Sequence, residues 1–275
     1  MENDQQGEVA KTGGQDKWND LRTRIISGAI LAVLGIGLLL SSGIWLQLGV
    51  SVLTGLMMWE LARMTSAGGP GTGDPRHALL VGGLSGAVML VSLLLPGIWG
   101  AVLAALPILA GWRGTAERHR IPFVIFTLGF FGASYGLFVT RAEYGLLTTF
   151  WIAGTVVISD IAGYFAGRML GGPKFWPKIS PKKTWSGTIA GWIGAAIFAL
   201  ILILASGSSN WSLLIAGPFV ALAGQFGDIA ESWLKRRVGI KDSSNLIPGH
   251  GGVMDRFDAM SGAFLSALIL FLLGL

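Results

Sequence analysis

The 275-residue sequence has no cysteine, three histidines and only 13% charged residues. The missing cysteine removes disulfides, thiolate metal sites and any cysteine nucleophile at once. Three histidines (His77, His119 and His250) are too few to suggest a zinc enzyme. A soluble domain carries about 25% charged residues, so the charge deficit excludes an ordinary water-soluble fold. Only 10 prolines accompany 42 glycines, and there is no G-X-Y period, so the chain is not collagen-like.

What fills the chain instead is apolar. Hydrophobic residues make up 52% and the mean hydropathy is +0.63. A bilayer core about 30 Å thick needs roughly 20 helical residues to cross it. Apolar stretches predict an all-α polytopic integral membrane protein of about nine transmembrane helices. They run approximately Ile25–Ser41, Ile44–Met64, Ala78–Leu95, Ile98–Trp112, Pro122–Thr140, Leu146–Gly167, Trp185–Ala205, Ser212–Ile229 and Phe257–Leu273. Only Pro96-Gly97 separates the third from the fourth, which read either as two short spans joined by a tight turn or as a pair that does not fully cross.

Charge placement tests that count. With the N-terminus inside and nine crossings, all but one of the 20 Lys and Arg residues fall on the inner side, and only Arg141 lies outside. That is the positive-inside bias. It predicts a cytoplasmic N-terminus and an outside C-terminus. Outer loops such as Ser41-Ser42-Gly43 are turns with no room for chemistry, and Trp45, Trp99 and Trp211 sit near the outer interface. Residues 1–20 read as a disordered cytosolic tail of mixed charge, without a cleavable signal peptide. Residues 21–275 read as a single transmembrane domain. Gly163 and Gly167 have a G-x-x-x-G spacing suited to helix packing.

Two inner segments differ from the rest: residues 168–186 (RMLGGPKFWPKISPKKTWS) and 230–258 (AESWLKRRVGIKDSSNLIPGHGGVMDRFD). Each adjoins a span containing an acid, Asp160 or Asp228. An ionisable group in a membrane helix is costly and marks a functional site by default. Asp228, Glu231, Ser232 and Lys235 lie at i, i+3, i+4 and i+7, one helical face. Asp255 and Asp258 share a face at the start of the last span. Carboxylates converging from two helix ends resemble a hard-cation site, since Mg²⁺ takes one or two carboxylates plus substrate phosphates. Basic side chains would hold the remaining phosphate oxygens, and Gly249-His250-Gly251-Gly252 can present backbone N–H groups to an anion.

Simpler readings compete. A basic loop beside a membrane usually binds anionic lipid and sets topology, but a polybasic anchor would not include Asp228, Glu231, Asp242, Asp255 and Asp258. Asp228 could pack against a lysine, His250 could be structural, and Asp160 could bond Tyr164 at i+4. Glu60 reads as an interfacial residue or an i,i+3 partner of Arg63.

The residues Ser232-Trp233-Leu234-Lys235-Arg236, Lys241-Asp242, Pro248, His250-Gly251-Gly252 and Asp255-Arg256-Phe257-Asp258 resemble the signature of the phosphatidate cytidylyltransferase (CDP-diacylglycerol synthase) family, over 27 unbroken positions. Ser180-Pro181-Lys182-Lys183-Thr184 and Asp160-x-x-x-Tyr164-x-x-Gly167-Arg168 also resemble blocks of that family. Ser186 departs from it: a Glu is common two residues after the SPKKT block. The resemblance implies transfer of a cytidylyl group from CTP to phosphatidate, giving CDP-diacylglycerol and pyrophosphate with Mg²⁺. It assigns the metal to Asp228 and Asp255 with Ser232 and Asp258 in support, and leaves a second cation open, a monovalent one included. It assigns Lys182, Lys183, Lys235, Arg236 and Lys241 to phosphates, Ser180 and Thr184 to the nucleotide, and Asp160, Arg168, Arg256 and His250 to completing the pocket. It implies CTP, phosphatidate and the bilayer as partners, no nucleic acid, and a homodimer.

The chemistry suits the composition. A lipid phosphate oxygen is already an anionic nucleophile at pH 7, so neither a side-chain nucleophile nor a strong base is needed. Positioning and charge neutralisation carry the reaction. One rival is a CTP-dependent polyprenol or lipid kinase, which would yield phospholipid and CDP. Another is a membrane transporter, which gives no reason for acids and bases to crowd one face. A CDP-alcohol phosphotransferase is disfavoured by the missing D-G-x-x-A-R motif.

Overall fold

The computed structural model describes residues 2–95, 102–207 and 209–274, with side chains described at Trp18 and from Leu21 onward. Among them run nine α-helices: α1 (Glu2–Leu40), α2 (Gly43–Met64), α3 (Pro75–Leu94), α4 (Ala105–Trp112), α5 (Arg120–Glu143), α6 (Gly145–Leu170), α7 (Trp185–Ser206), α8 (Leu213–Val238) and α9 (Met254–Leu272). A short antiparallel hairpin, β1 (Lys174–Trp176) and β2 (Ser180–Thr184), lies between α6 and α7. Seven of the helical segments are long and apolar enough to cross a membrane. The chain is an all-α integral membrane protein.

The expected spans and the helices coincide to within a few residues for most of the chain. α1 begins at Glu2 and takes in the segment read from composition as a tail; its apolar stretch is Leu21–Leu40. Of the fourth expected span, Ile98–Trp112, only the part from Val102 is described, with α4 at its end. The Pro96-Gly97 turn and Trp99 lie outside the described residues. The last expected span, α9, is not among these seven, because Asp255, Arg256 and Asp258 charge its first turns.

Two expectations need correction. The eighth span does not stop at Ile229: α8 continues to Val238, where Gly239 takes the left-handed conformation that ends a helix. Lys235, Arg236 and Arg237 then sit in its last turn, where cations favour the helix dipole. The segment 168–186 is not simply a loop, because its SPKKT block is strand β2.

On α7 large apolar side chains face outward and small ones inward. Ile189, Ile193, Ile197 and Ile201 form an exposed stripe on α7, while Ala195 and Ala199 on the opposite side are fully buried. Lipid solvates the stripe as well as a core would, so contact between helices depends on close backbone approach. A Cβ on Gly55 or Gly82 would strike the other's backbone across α2 and α3; Gly163 and Gly187 are related the same way across α6 and α7. Gly227 and Gly262 bring α8 and α9 together beside the Asp258 carbonyl. Most hydroxyls within the spans bond back to the carbonyl four residues earlier, as do Thr54, Ser85, Ser92 and Thr127.

The helix ends sort by charge. At one end Arg141 donates to the Leu39 carbonyl at 2.9 Å, and Tyr144 meets Phe271 edge to face. The hairpin, the 239–253 loop and the turns after α2 and α4 gather at the other end. There Arg237 donates to the Arg118 carbonyl and Ser66 pairs with Thr115.

Candidate active site

Three elements bring the signature residues together: the hairpin, the last three turns of α8 and the first turns of α9. α8 continues as a helix past the apolar region, so Asp228, Glu231, Ser232 and Lys235 do share a face. Ser232 donates to Asp228 Oδ1 at 3.3 Å, and Lys235 Nζ lies 3.0 Å from Glu231 Oε1. Two contacts tie this face to the other elements. Lys183 of β2 pairs with Asp228 Oδ2 at 2.5 Å, and Lys235 reaches across to Asp255 Oδ1 of α9 at 2.6 Å.

Asp255 is fully engaged. Its Oδ2 accepts from the backbone N–H groups of Ser243 and Gly252 and from the Ser243 hydroxyl, each at 2.8 Å. It thereby closes the 239–253 loop onto α9 while holding Lys235. Asp258, a turn further along, uses Oδ1 to accept from the Ala259 N–H, and its Oδ2 has no partner among the described residues. Asp258 and Asp160 both lie within electrostatic reach of Asp228, as Glu231 does of Asp255 and Asp258. Five carboxylates therefore surround two lysines. Glu231 is 1% exposed, and its Oε2 has no hydrogen-bond donor.

Among the described residues no three His, Asp or Glu side chains converge into a group able to cage a metal by themselves. A site for Mg²⁺ does not need such a cage, because this ion keeps several waters and takes one or two carboxylates plus phosphate oxygens. The excess of hard oxygen donors, one buried carboxylate oxygen lacking a donor and the free Asp258 Oδ2 fit a divalent cation of that kind.

The remaining predicted residues divide. Lys182 and Lys241 are exposed at this end with no partner among the described residues, and Ser180 is half-buried on β2. Thr184 is the N-cap of α7: its buried hydroxyl accepts from the Gly187 N–H at 3.2 Å. Ser186, where the family commonly has Glu, contacts Thr184 and donates to the Gly171 carbonyl. Arg236 reaches the Ile240 carbonyl at 3.4 Å. Arg256 donates twice to the His250 carbonyl, clamping the loop. Arg168 bonds the Tyr164 hydroxyl at 2.8 Å, so Tyr164 pairs with Arg168 and not with Asp160. His250 is held through Nδ1, 2.8 Å from the Ser27 hydroxyl of α1, which also contacts the Pro248 carbonyl.

One residue overturns its sequence reading. Glu60 is neither interfacial nor paired with Arg63: it is fully buried and anchors the signature loop. Its Oε1 accepts from the Ser244 hydroxyl (2.6 Å) and the Val253 N–H (2.9 Å). Its Oε2 accepts from the Ser243 hydroxyl (3.2 Å) and the Met254 N–H (2.7 Å). Gly252 packs so closely that a Cβ there would collide with the Glu60 carboxylate. The signal was present in MMWELARM, an acid inside an apolar span; Arg63 at i+3 offered a nearer explanation. Arg63 instead lies over the Trp59 ring at 4.9 Å. Ser27, Ser243 and Ser244 carried no sequence signal, being ordinary serines whose partners are far away in the chain.

Comparison with known proteins identifies the family. Residues 22–273 match the sequence family described as the cytidylyltransferase family. A phosphatidate cytidylyltransferase of Brucella suis biovar 1 (strain 1330) is 33% identical over 267 residues, covering 93% of this chain and 94% of its own. One of Bacillus subtilis (strain 168) is 29% identical over 276 residues, covering 93% and 98%. One of Helicobacter pylori (strain ATCC 700392 / 26695) is 39% identical over 155 residues, covering 55% and 56%. With a family match that spans almost its whole length, the chain belongs to the cytidylyltransferase family.

Proposed function

We infer that the chain transfers the cytidylyl group of CTP to phosphatidate, releasing pyrophosphate and forming CDP-diacylglycerol. The observation that carries this reading is the joining of three elements by lysine–carboxylate pairs: Lys183 of β2 with Asp228, and Lys235 with Glu231 and Asp255. Near-full-length relatives named phosphatidate cytidylyltransferase supply the substrates.

In the reaction a phosphatidate oxygen attacks the α-phosphorus of CTP. A new P–O bond forms, the bond to the β-phosphate oxygen breaks, and its electron pair leaves with pyrophosphate. Lys182 and Lys241, exposed and without partners among the described residues, are suited to the β- and γ-phosphates. Lys183 and Lys235 hold their carboxylates in place and offer positive charge where the oxyanions meet. Asp228 and Asp258 are the carboxylates we assign to Mg²⁺, with Asp255 as a third whose Oδ1 is shared with Lys235. Bound there, the ion would neutralise phosphate charge and orient the two substrates. Asp160 and Arg168 close the side toward α6, and Ser180, Ser232 and Arg236 line the approach. Glu60, His250 and Arg256 position the loop.

The same reading orients the chain. We place the charged end at the cytoplasmic face of the inner membrane, with the N-terminus inside and the C-terminus outside. α9 and the segment ending in α4 then bring the crossings to nine. The lipid head group enters at the inner leaflet, and a homodimer rests on the family resemblance alone.

The test is incubation of purified protein with phosphatidate, Mg²⁺ and CTP labelled at the α-phosphate. Label should enter the lipid fraction and fail to do so with chelator present. Label entering only from the γ-phosphate would identify a kinase and overturn the reading, as would binding of CTP without turnover.

A further inference from the structure

A mostly apolar cavity with a basic side chain in one wall lies apart from the acidic cluster, at the same end of the bundle. It measures about 550 Å³ and opens between the end of α2, the 65–74 turn and the start of α3. α2 and α3 touch at Gly55 and Gly82, and the cavity lies beyond that contact. Trp59 and Arg63 line one wall, a face of α2 adjacent to the one carrying Glu60, and Ser66 extends it just past the helix end. The glycine-rich turn Gly68–Gly73 forms the roof. Leu79, 62% exposed, continues the opposite wall toward lipid.

The chemistry of this cavity is that of an anion receptor. Arg63 stacks on Trp59, which fixes the guanidinium without using its donors. Among the described residues no carboxylate or carbonyl accepts from it, and Gly71 leaves open the space beside one of its terminal nitrogens. His77 directs Nε2 at the Ala110 carbonyl at 3.0 Å and so braces the far wall. The only acid lining the cavity is Asp74, and its carboxylate accepts from the Arg76 N–H. Arg76 and Arg113 stand exposed beside the cavity. A polar floor under a lipid-facing apolar wall matches a phospholipid: head group inside, acyl chains along Leu79. A volume of this size is within the usual range for small-ligand sites, roughly 300–1,000 Å³.

We propose that this cavity binds the phosphate head group of an anionic phospholipid through Arg63, as a site separate from the one that handles CTP. The proposal needs no turnover, so it stands or falls independently of the catalytic reading.

The experiment titrates phosphatidylglycerol, against phosphatidylcholine as the neutral control, onto the purified full-length protein, with retained lipid counted by native mass spectrometry and no CTP present. One phosphatidylglycerol should be retained in preference to phosphatidylcholine. Arg63→Gln should weaken that retention about tenfold, or about 1.4 kcal/mol. Ala67→Phe, which fills the cavity from an exposed position, should weaken it similarly with Arg63 intact, so the test survives if Arg63→Gln fails to fold. Asp255→Asn should leave it unchanged. A 100-fold excess of inorganic phosphate or glycerol 3-phosphate should not displace the lipid. Displacement by those soluble anions would overturn the assignment to lipid. Unchanged retention in Arg63→Gln or Ala67→Phe, or loss only in Asp255→Asn, would overturn the site.

Discussion

Replacing Glu60 by Gln is the sharpest perturbation the structure offers. The substitution keeps size and shape but turns one acceptor oxygen into an NH₂ donor. Each Glu60 oxygen accepts one serine hydroxyl and one backbone N–H. Whichever oxygen is lost, the hydroxyl can rotate away, but the Val253 or Met254 N–H cannot. A buried N–H left without an acceptor costs about 1–3 kcal/mol, and the loss of charge weakens the surviving bonds further. A total of about 2–3 kcal/mol shifts loop docking by roughly 30- to 150-fold. Hydrogen exchange reads this directly, because local opening exposes those amides. The 243–254 segment should exchange about 30-fold faster or more in Glu60→Gln, with α5 and α6 unchanged, and cytidylyl transfer should fall in parallel. Exchange within about threefold of the parent would refute the claim that Glu60 holds the loop. So would faster exchange spread evenly over all helices, which would point to general destabilisation.

Other outcomes follow from the same contacts. Asp255→Asn removes the charge that binds Lys235 and should lower turnover more than about 100-fold with helical content retained; near-normal activity at ordinary Mg²⁺ would count against its role. Lys183→Ala leaves Asp228 without its cation and should raise the CTP concentration for half-maximal rate by about tenfold, or about 1.4 kcal/mol; an unchanged CTP dependence would remove Lys183 from the nucleotide site. Ser27→Ala loses a hydroxyl shared by the Pro248 carbonyl and His250, worth about 1 kcal/mol, and should speed exchange at residues 249–251 about fivefold. Reporters fused at Pro181 and Ser209 should report opposite sides of the membrane; both on one side would break the proposed crossing order.

Much of this protein is written in short-range pattern. Apolar run length alone located seven spans, because a helix in lipid must satisfy its own backbone and needs a fixed length to cross. The shared face of Asp228, Glu231, Ser232 and Lys235 followed from helical spacing, as did the sorting of basic residues to one end. Only tertiary packing decided which charges meet. Lys183 could have paired with Asp160 or Asp228, and Lys235 could have faced phosphate rather than bridging Glu231 and Asp255. Glu60 lies 193 positions from Val253, and no local periodicity connects them. Spacing along a chain sets which side chains share one helix face, whereas partners on different helices depend on glycine-scale approach between backbones. That approach draws α8 against α9 and encloses Glu60 beneath the signature loop.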